Sequence, residues 1–175
     1  LSAAMGAITW LCIEWIKYGK PSVLGAVTGM VAGLGTITPA SGYVGPAGAI
    51  VIGFSAGIVC FWATLWIKHI LKIDDSLDVF PVHGVGGILG TLMAGIFASS
   101  ELGLFSGQGL VEGVTIIDQL GVQAIGVLAT GAYTAVVTYA LLKIVGLMTS
   151  GLRVSPEEEA QGLDISYHNE AGYDL

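Results

Sequence analysis

Charged side chains are scarce in this sequence of 175 residues. Charged residues make up 11% of the chain, compared with about 25% in soluble domains, and 54% of the residues are hydrophobic. The mean hydropathy is +0.81. This composition excludes an ordinary soluble domain and predicts an integral membrane protein, and the length alone suggests one domain.

Groups that carry chemistry are scarce as well. Cys12 and Cys60 both lie in apolar runs, where a free thiol behaves as a small hydrophobe, so no disulfide is expected. No Cys, Asp, Glu or second His stands near His83 at the spacing of zinc ligands, and no nucleophile has an adjacent base. We therefore expect neither an enzyme, nor a metal site, nor a cofactor.

Negative charge is concentrated at the end of the chain. The net charge is -7, but this acidity belongs largely to a polar tail, which holds Glu157, Glu158, Glu159, Asp164, Glu170 and Asp174. A charge confined to a tail argues against a nucleic acid as partner. The sequence opens at Leu1 in apolar residues, without a charged signal-peptide start or an initiator Met. We therefore expect either a fragment or a chain that pairs with a separate amino-terminal half.

Five apolar segments predict five transmembrane helices, at residues 1–18, 22–37, 45–70, 78–97 and about 121–151. At about 1.5 Å per residue, the second segment covers about 24 Å, which is short of the ~30 Å hydrocarbon core. The fifth covers about 45 Å and is long enough to span with tilt. Residues 1–151 are thus predicted to be the transmembrane region and residues 152–175 a cytoplasmic tail.

Positive charge predicts the orientation. Basic residues follow the first, third and fifth segments, namely Lys17, Lys20, Lys68, Lys72, Lys143 and Arg153, while the loops 38–44 and 98–120 contain none. By the positive-inside rule, the amino terminus is expected outside the cell and the carboxyl terminus in the cytoplasm. The expected location is the inner or plasma membrane. Glu14, one turn before Lys17, predicts an interfacial ion pair.

Small residues recur at every fourth position in three segments. The rows are Gly25, Gly29 and Gly33; Gly45, Ala49, Gly53 and Gly57; Gly86, Gly90 and Ala94; and Gly87, Thr91 and Gly95. Such rows let helix backbones approach closely in lipid. They predict a tight helical bundle.

The end of the second segment leaves two interpretations open. Pro39 lacks a backbone donor and disfavours helix at Thr38. The chain then makes either a plain extracellular turn or a stretch of irregular backbone below the surface. In the second case a carbonyl or hydroxyl of Thr38 faces a cavity, since irregular backbone at depth must be buried by protein or lined by water.

The start of the fourth segment combines a predicted cap with a histidine. Asp78 is expected to cap the helix by accepting backbone N–H bonds, and Pro81 suits the first turn. An ionisable side chain in hydrocarbon is costly, so His83 is either a core histidine bonded to a carbonyl or a contact for a small polar solute that crosses the bilayer. The membrane location favours the second interpretation, because a neutral imidazole both donates and accepts.

The tail opens with a predicted helix start. Ser155 precedes Pro156 and three glutamates, a pattern typical of a capped helix amino terminus. Gly162 is expected to end this helix after about two turns, a length that is too short for independent stability. The helix either docks on something or stays mobile.

Several strings, in order over essentially the whole chain, resemble one family. They are Ile37-Thr-Pro-Ala40, Gly42-Tyr-Val-Gly45, Asp78-Val-Phe-Pro-Val-His-Gly84, and Gly151-Leu-Arg-Val followed by Glu157-Glu158-Glu159 and Gly162-Leu-Asp164. With these strings the sequence closely resembles the carboxyl-terminal half of the ammonium transporters of the Amt/Mep/Rh family, on the bacterial and archaeal Amt side.

The resemblance implies an all-α membrane fold of eleven spans whose first ten form two inverted five-helix repeats. The five segments here would be the seventh to eleventh spans. It also implies homotrimers with one pore per subunit. His83 would be the second of two stacked pore histidines, with Val79, Val31 and Thr38 lining the pore and Asp78 as the capping aspartate. The first histidine and the outer aromatic cage belong to the family's amino-terminal half.

The implied function is transport of ammonium or ammonia through a narrow hydrophobic pore lined by a histidine pair, of which this chain supplies one. There are two alternatives: an ammonium sensor that signals through the tail, and a neutral gas channel of the Rh type. The sequence leaves open whether transport moves charge or conducts neutral NH₃. The resemblance assigns regulation to tail residues that couple subunits and bind a P-II nitrogen-signalling protein. These residues are Arg153, Glu157, Glu158, Glu159, Gly162 and Asp164.

Overall fold

The chain forms helices joined by loops, the longest of which connects Phe97 to Ile116. A computed structural model describes residues 1–149 and 151–171, which fall into two compact units, residues 1–128 and the residues from 129 onward. The described residues contain no strand. Their α-helices are α1 (Ser2–Tyr18), α2 (Val23–Ile37), α3 (Pro46–Leu65), α4 (Gly86–Phe97), α5 (Ile116–Met148) and α6 (Pro156–Gln161).

Shorter helical turns extend several of these helices. A 3₁₀ turn (Thr38–Ala40) continues α2, a π-helical turn (Trp66–Ile70) continues α3, and a second π-helical turn (Phe80–Val85) leads into α4. With these extensions, the helices through Val23–Ala40, Pro46–Ile70, Phe80–Phe97 and Ile116–Met148 are long and apolar enough to cross a membrane. Helix α1 has 17 residues, at the lower end of the range of about 17–25 for a span.

Helix α5 starts earlier than the sequence indicated. The predicted segment began near residue 121, but the helix begins at Ile116. The cause is a local cap: Thr115 Oγ1 accepts from the backbone N–H of Asp118 (3.2 Å), and the Asp118 carboxylate accepts from the backbone N–H of Thr115 (3.0 Å). These reciprocal bonds satisfy two donors at the helix start.

Helix α2 lies at the centre of the first unit and packs through its glycines. Gly25, Gly29 and Gly33 are buried. A Cβ atom on Gly29 would stand 2.5 Å from Trp10 Cβ and 2.7 Å from the carbonyl oxygen of Gly6, so α1 and α2 touch backbone to backbone. The predicted tight packing by this row is confirmed.

Of the two small-residue rows predicted in the fourth segment, one makes the close contact with α2. Gly86, Gly90 and Ala94 are buried, and a Cβ atom on Gly86 would stand 2.8 Å from Thr36 Oγ1. Gly87, in the other row, has no neighbour within 4 Å of an added Cβ. Gly95, in that same row, is buried, and a Cβ atom on it would stand 3.2 Å from Gln123 Cγ of α5. Side-chain direction therefore separates the row that packs on α2 from one that is open only in part.

The predicted Glu14–Lys17 ion pair does not form. Glu14 instead accepts from the backbone N–H of Ser22 (2.7 Å) and from the Ser22 hydroxyl (3.1 Å), while that hydroxyl accepts from Gly25 N–H (2.8 Å) and caps α2. Lys17 Nζ lies 5.0 Å from the centre of the Trp62 ring. The prediction was wrong because the loop before α2 offers Glu14 two directed donors.

We expect Gly29→Ala to lower the stability of the protein in detergent, since the added methyl group meets backbone of α1 that has no rotamer to change. Overpacking of this kind costs about 1–3 kcal/mol. The matched control is Gly126→Ala in α5, where an added Cβ has no neighbour within 4 Å. Thermal unfolding of both variants checks the prediction, and equal midpoints would contradict it.

Candidate functional site

The candidate site is centred on His83. This residue lies in the π-helical turn that leads into α4 and its side chain is exposed, whereas the preceding Pro81 and Val82 are buried. A Cβ atom on Gly35 would stand 3.8 Å from His83 Nδ1 and 3.6 Å from the Val82 carbonyl oxygen. The imidazole therefore lies beside α2 at a position where that helix has no side chain.

The other predicted pore residues follow helical spacing. Val79 precedes His83 by four residues and is 53% exposed. On α2, Val31, Gly35 and Thr38 share one face because they are four and three residues apart. Val31 packs against the core cluster that includes Val82, so α2 and the helix of His83 meet at this level.

No described residue forms a hydrogen bond with the His83 imidazole. Both ring nitrogens are thus left available for a donor or acceptor outside the chain's own backbone and side chains. This arrangement differs from a core histidine that is bonded to a carbonyl, the other interpretation of the sequence.

Thr38 lies one turn beyond Gly35 and remains helical. Helix α2 ends at Ile37, where the second segment was predicted to end. Thr38 nevertheless keeps helical backbone angles, φ -51° and ψ -48°, so Pro39 does not force Thr38 out of the helical region. Pro39 occupies the start of a 3₁₀ turn, where its missing donor does little harm. The Thr38 hydroxyl donates to the Leu34 carbonyl (2.7 Å), and the Thr38 carbonyl accepts from the Ser41 hydroxyl (3.2 Å). Both polar groups are therefore held locally.

The predicted capping role of Asp78 is corrected by the structure. The backbone N–H groups of Val79 and Phe80 donate to Asp75 Oδ1 (2.9 Å) and Oδ2 (2.8 Å). Asp78 has a left-handed backbone, with φ +56°, and its Oδ1 lies 2.8 Å from Lys68 Nζ. Asp75 is the cap because the backbone turn at Asp78 directs the Asp78 carboxylate toward α3.

No three His, Cys, Asp or Glu side chains converge within residues 1–149 and 151–171 as they would around a metal ion. The site offers hydrogen bonding by an imidazole on an apolar surface, with the Lys68–Asp78 ion pair and the Asp75 cap at the start of the same helix.

The second unit contains the predicted tail helix. Helix α6 has a full capping box: Ser155 Oγ accepts from the backbone N–H of Glu158, and Glu158 Oε2 accepts from the backbone N–H of Ser155 (2.8 Å). The helix ends at Gly162, whose φ is +95°. The prediction of a helix between Ser155 and Gly162 is confirmed.

The charges of the tail are solvated. Hydrogen bonds from Ser155 hold the pKa of Glu158 below its usual value, and the nearby Glu158 carboxylate raises the pKa of Tyr167. Arg153, Glu157, Glu159 and Asp164 are exposed. Residues 172–175 of the predicted tail lie outside the described residues.

Three residues of the site were missed by sequence reasoning, namely Gly35, Asp75 and Lys68. Gly35 continues the face of Val31 by helical spacing, which was a usable signal. Asp75 was one of three acids before the helix, and spacing alone could not choose between them. Lys68 was used only to predict the membrane orientation, because Asp78 follows it ten positions later in the sequence and no local pattern pairs them.

Comparisons with known proteins agree on one family. The model of the Ammonium Transporter Family matches residues 1–173. Ammonium transporter Amt1 of Archaeoglobus fulgidus is 46% identical over 173 residues, which cover 98% of this chain and 42% of Amt1.

Solved structures are similar as well. Mep2 of Saccharomyces cerevisiae has a TM-score of 0.75 at 36% identity, covering 89% of this chain and 36% of Mep2. A structure described as a sensor Amt protein has a TM-score of 0.78 at 30% identity, covering 95% of this chain and 39% of that one. The chain thus spans about 40% of the length of these relatives.

We expect Asp75→Ala to destabilise the start of the helix that carries His83, because two backbone donors lose their acceptor. Loss of a side-chain cap costs about 0.5–2 kcal/mol. Asp74→Ala is the matched control, since Asp74 is exposed and caps nothing among the described residues. Amide hydrogen exchange at Val79 and Phe80 measures the effect. Equal protection in both variants would show that Asp75 does not cap the helix.

Proposed function

Because the chain belongs to the ammonium transporter family, we propose that it forms part of a membrane pore that conducts ammonium or ammonia. The observation that carries the proposal is the position of His83. Its imidazole is exposed, lacks a hydrogen-bond partner among the described residues, and lies beside Gly35 on an apolar helix. An imidazole without a hydrogen-bond partner is costly in an apolar helix, and contact with a small polar solute would explain its presence there.

The chemistry of the solute explains why such a contact is needed. NH₄⁺ is strongly hydrated, and carrying the bare ion through an apolar tube is expensive. Its separation into NH₃ and a proton removes most of that penalty. A neutral imidazole donates from one nitrogen and accepts at the other, so His83 can bond NH₃ as it passes.

The surrounding pore follows from the same proposal. Val79, Val31 and Thr38 line it, and a second pore histidine from the amino-terminal part of the transporter stacks on His83. The five segments 1–18, 22–37, 45–70, 78–97 and 121–151 cross the plasma membrane, with the tail 152–175 in the cytoplasm. Three subunits assemble, and the charged tail offers a surface to a P-II protein. Positive charge at the ends of three segments supports this orientation.

We expect His83→Ala to change ammonium transport by the natural full-length protein that carries this chain. Loss of a hydrogen bond worth about 0.5–1.5 kcal/mol predicts a change of about 2- to 10-fold in transport rate or in selectivity against potassium. His69→Ala is the control, since His69 lies at the end of α3 in the turn Trp66–Ile70.

Currents and pH changes recorded in proteoliposomes against ammonium concentration measure this effect. The same recordings separate charge-moving transport from conduction of neutral NH₃, because only the first produces a saturating current. Unchanged conduction and selectivity in His83→Ala would remove His83 from the transport path.

We expect deletion of the residues after Gly151 to leave ammonium uptake in place, lowered by about fivefold or less, the low end of a typical coupling between sites. The physical reason is that the pore residues all precede the tail in the first unit. Uptake of labelled methylammonium by cells measures the effect. Complete loss of uptake would contradict the prediction, and intact uptake with a lost nitrogen response would favour the sensor alternative.

A further inference from the structure

We propose that the Lys68–Asp78 ion pair is a positioning element that holds the helix of His83 in register beside α2. The pair joins the end of α3 to the residue that precedes the helix start. Its effect on transport rests on the proposed function, but its effect on the position of His83 does not.

The ion pair links two turns that are not regular α-helix. Lys68 belongs to the π-helical turn Trp66–Ile70, which is anchored by the buried side chain of Ile67 (1% exposed). Asp78 precedes the π-helical turn Phe80–Val85. Lys68 Nζ and Asp78 Oδ1 are 2.8 Å apart, with side chains 34% and 19% exposed. The pair is therefore better shielded from water than an ordinary surface ion pair.

The backbone of Asp78 connects this ion pair to His83. The Asp78 carbonyl accepts from the Val82 N–H (3.0 Å), so a displaced Asp78 displaces the residue that precedes His83. The φ of +56° at Asp78 is uncommon for a residue with a side chain, although Asp and Asn tolerate it better than most. An ion pair on the side chain helps to hold this backbone conformation.

A π-helical turn makes such an external contact necessary. Each π turn contains one residue more than an α turn and rotates the residues after it. The direction of the His83 side chain therefore depends on where the π turn begins. Asp75 fixes that start through Val79 and Phe80, and Lys68 fixes Asp78.

Other charges near the pair do not replace it. Lys72, Asp74 and Asp75 share the loop between Leu71 and Asp78, yet the structure records one ion pair within 4 Å over the described part of the chain, that of Lys68 with Asp78. Lys20, in the loop after α1, has no carboxylate within that distance in the same residues. It therefore provides a matched lysine without a partner.

The first experiment measures ammonium transport by the natural full-length protein. Lys68→Met and Asp78→Asn should each lower it about tenfold, since a misplacement of 1 Å reduces rates by up to about 100-fold. The double variant should be no worse than either single variant, because both remove the same interaction. Lys68→Arg keeps the positive charge and should transport ammonium like the wild type, as should the control Lys20→Met. The exchanged pair, Lys68→Asp with Asp78→Lys, should recover transport relative to the single variants.

The second experiment determines structures of the full-length wild type and of Asp78→Asn, which retains the shape of the side chain. We expect the His83 ring to move away from Gly35 in the variant. An unmoved His83, additive effects of the two single variants, or no recovery in both the conservative and the exchanged variants would overturn the positioning role. A wild type that does not transport ammonium would overturn the proposed function instead, and the structures would then decide the positioning role alone.

Discussion

Backbone contact along the glycine face of α2 is the constraint on which the rest of the structure depends. In a bilayer, apolar side chains gain little by leaving lipid for protein, so helices associate by close van der Waals packing. Gly29 meets the backbone of α1, and the Thr36 region of α2 meets Gly86 and Gly90. Gly35, on the same helix, leaves the space in which the His83 ring lies. The packing that holds the bundle together therefore also makes room for the site.

Some hydroxyls on these helices are held by their own helix, whereas the buried hydroxyls of Thr9, Thr36 and Thr64 have no hydrogen-bond partner among the described residues. The hydroxyls of Thr28, Thr38 and Thr91 each donate to the carbonyl four residues earlier, at 2.7–2.9 Å. A histidine ring has no comparable bond within its own turn here, and His83 is left without one. The contrast explains why Thr38 is a weaker candidate for solute contact than the sequence suggested. Its hydroxyl proton is already engaged, whereas both nitrogens of His83 remain available.

Features repeated over many residues could be predicted from the sequence, and choices between neighbouring polar groups could not. The four-residue rows of small side chains predicted the packed face of α2, and Ser155 with Pro156 predicted α6. The sequence predicted Asp78 as the helix cap, where the structure has Asp75. It predicted that Glu14 pairs with Lys17, whereas Glu14 accepts hydrogen bonds from Ser22. Asp75 and Asp78 lie within one turn of each other, whereas Ser22 lies eight residues beyond Glu14, past the end of α1. Backbone direction, such as the left-handed conformation of Asp78, decided between them.

The Lys68–Asp78 pair also explains why charge can lie close to an apolar site. Asp78 lies five residues before His83, about one turn along the π-helical turn Phe80–Val85. An unpaired carboxylate at that distance would favour NH₄⁺ over NH₃ beside the imidazole. Because Lys68 Nζ is 2.8 Å from the carboxylate, the pair acts as a dipole whose field falls off faster than that of a single charge. In the proposed pore, the apolar surface around His83 can then favour the neutral molecule even though its helix begins at a charged residue.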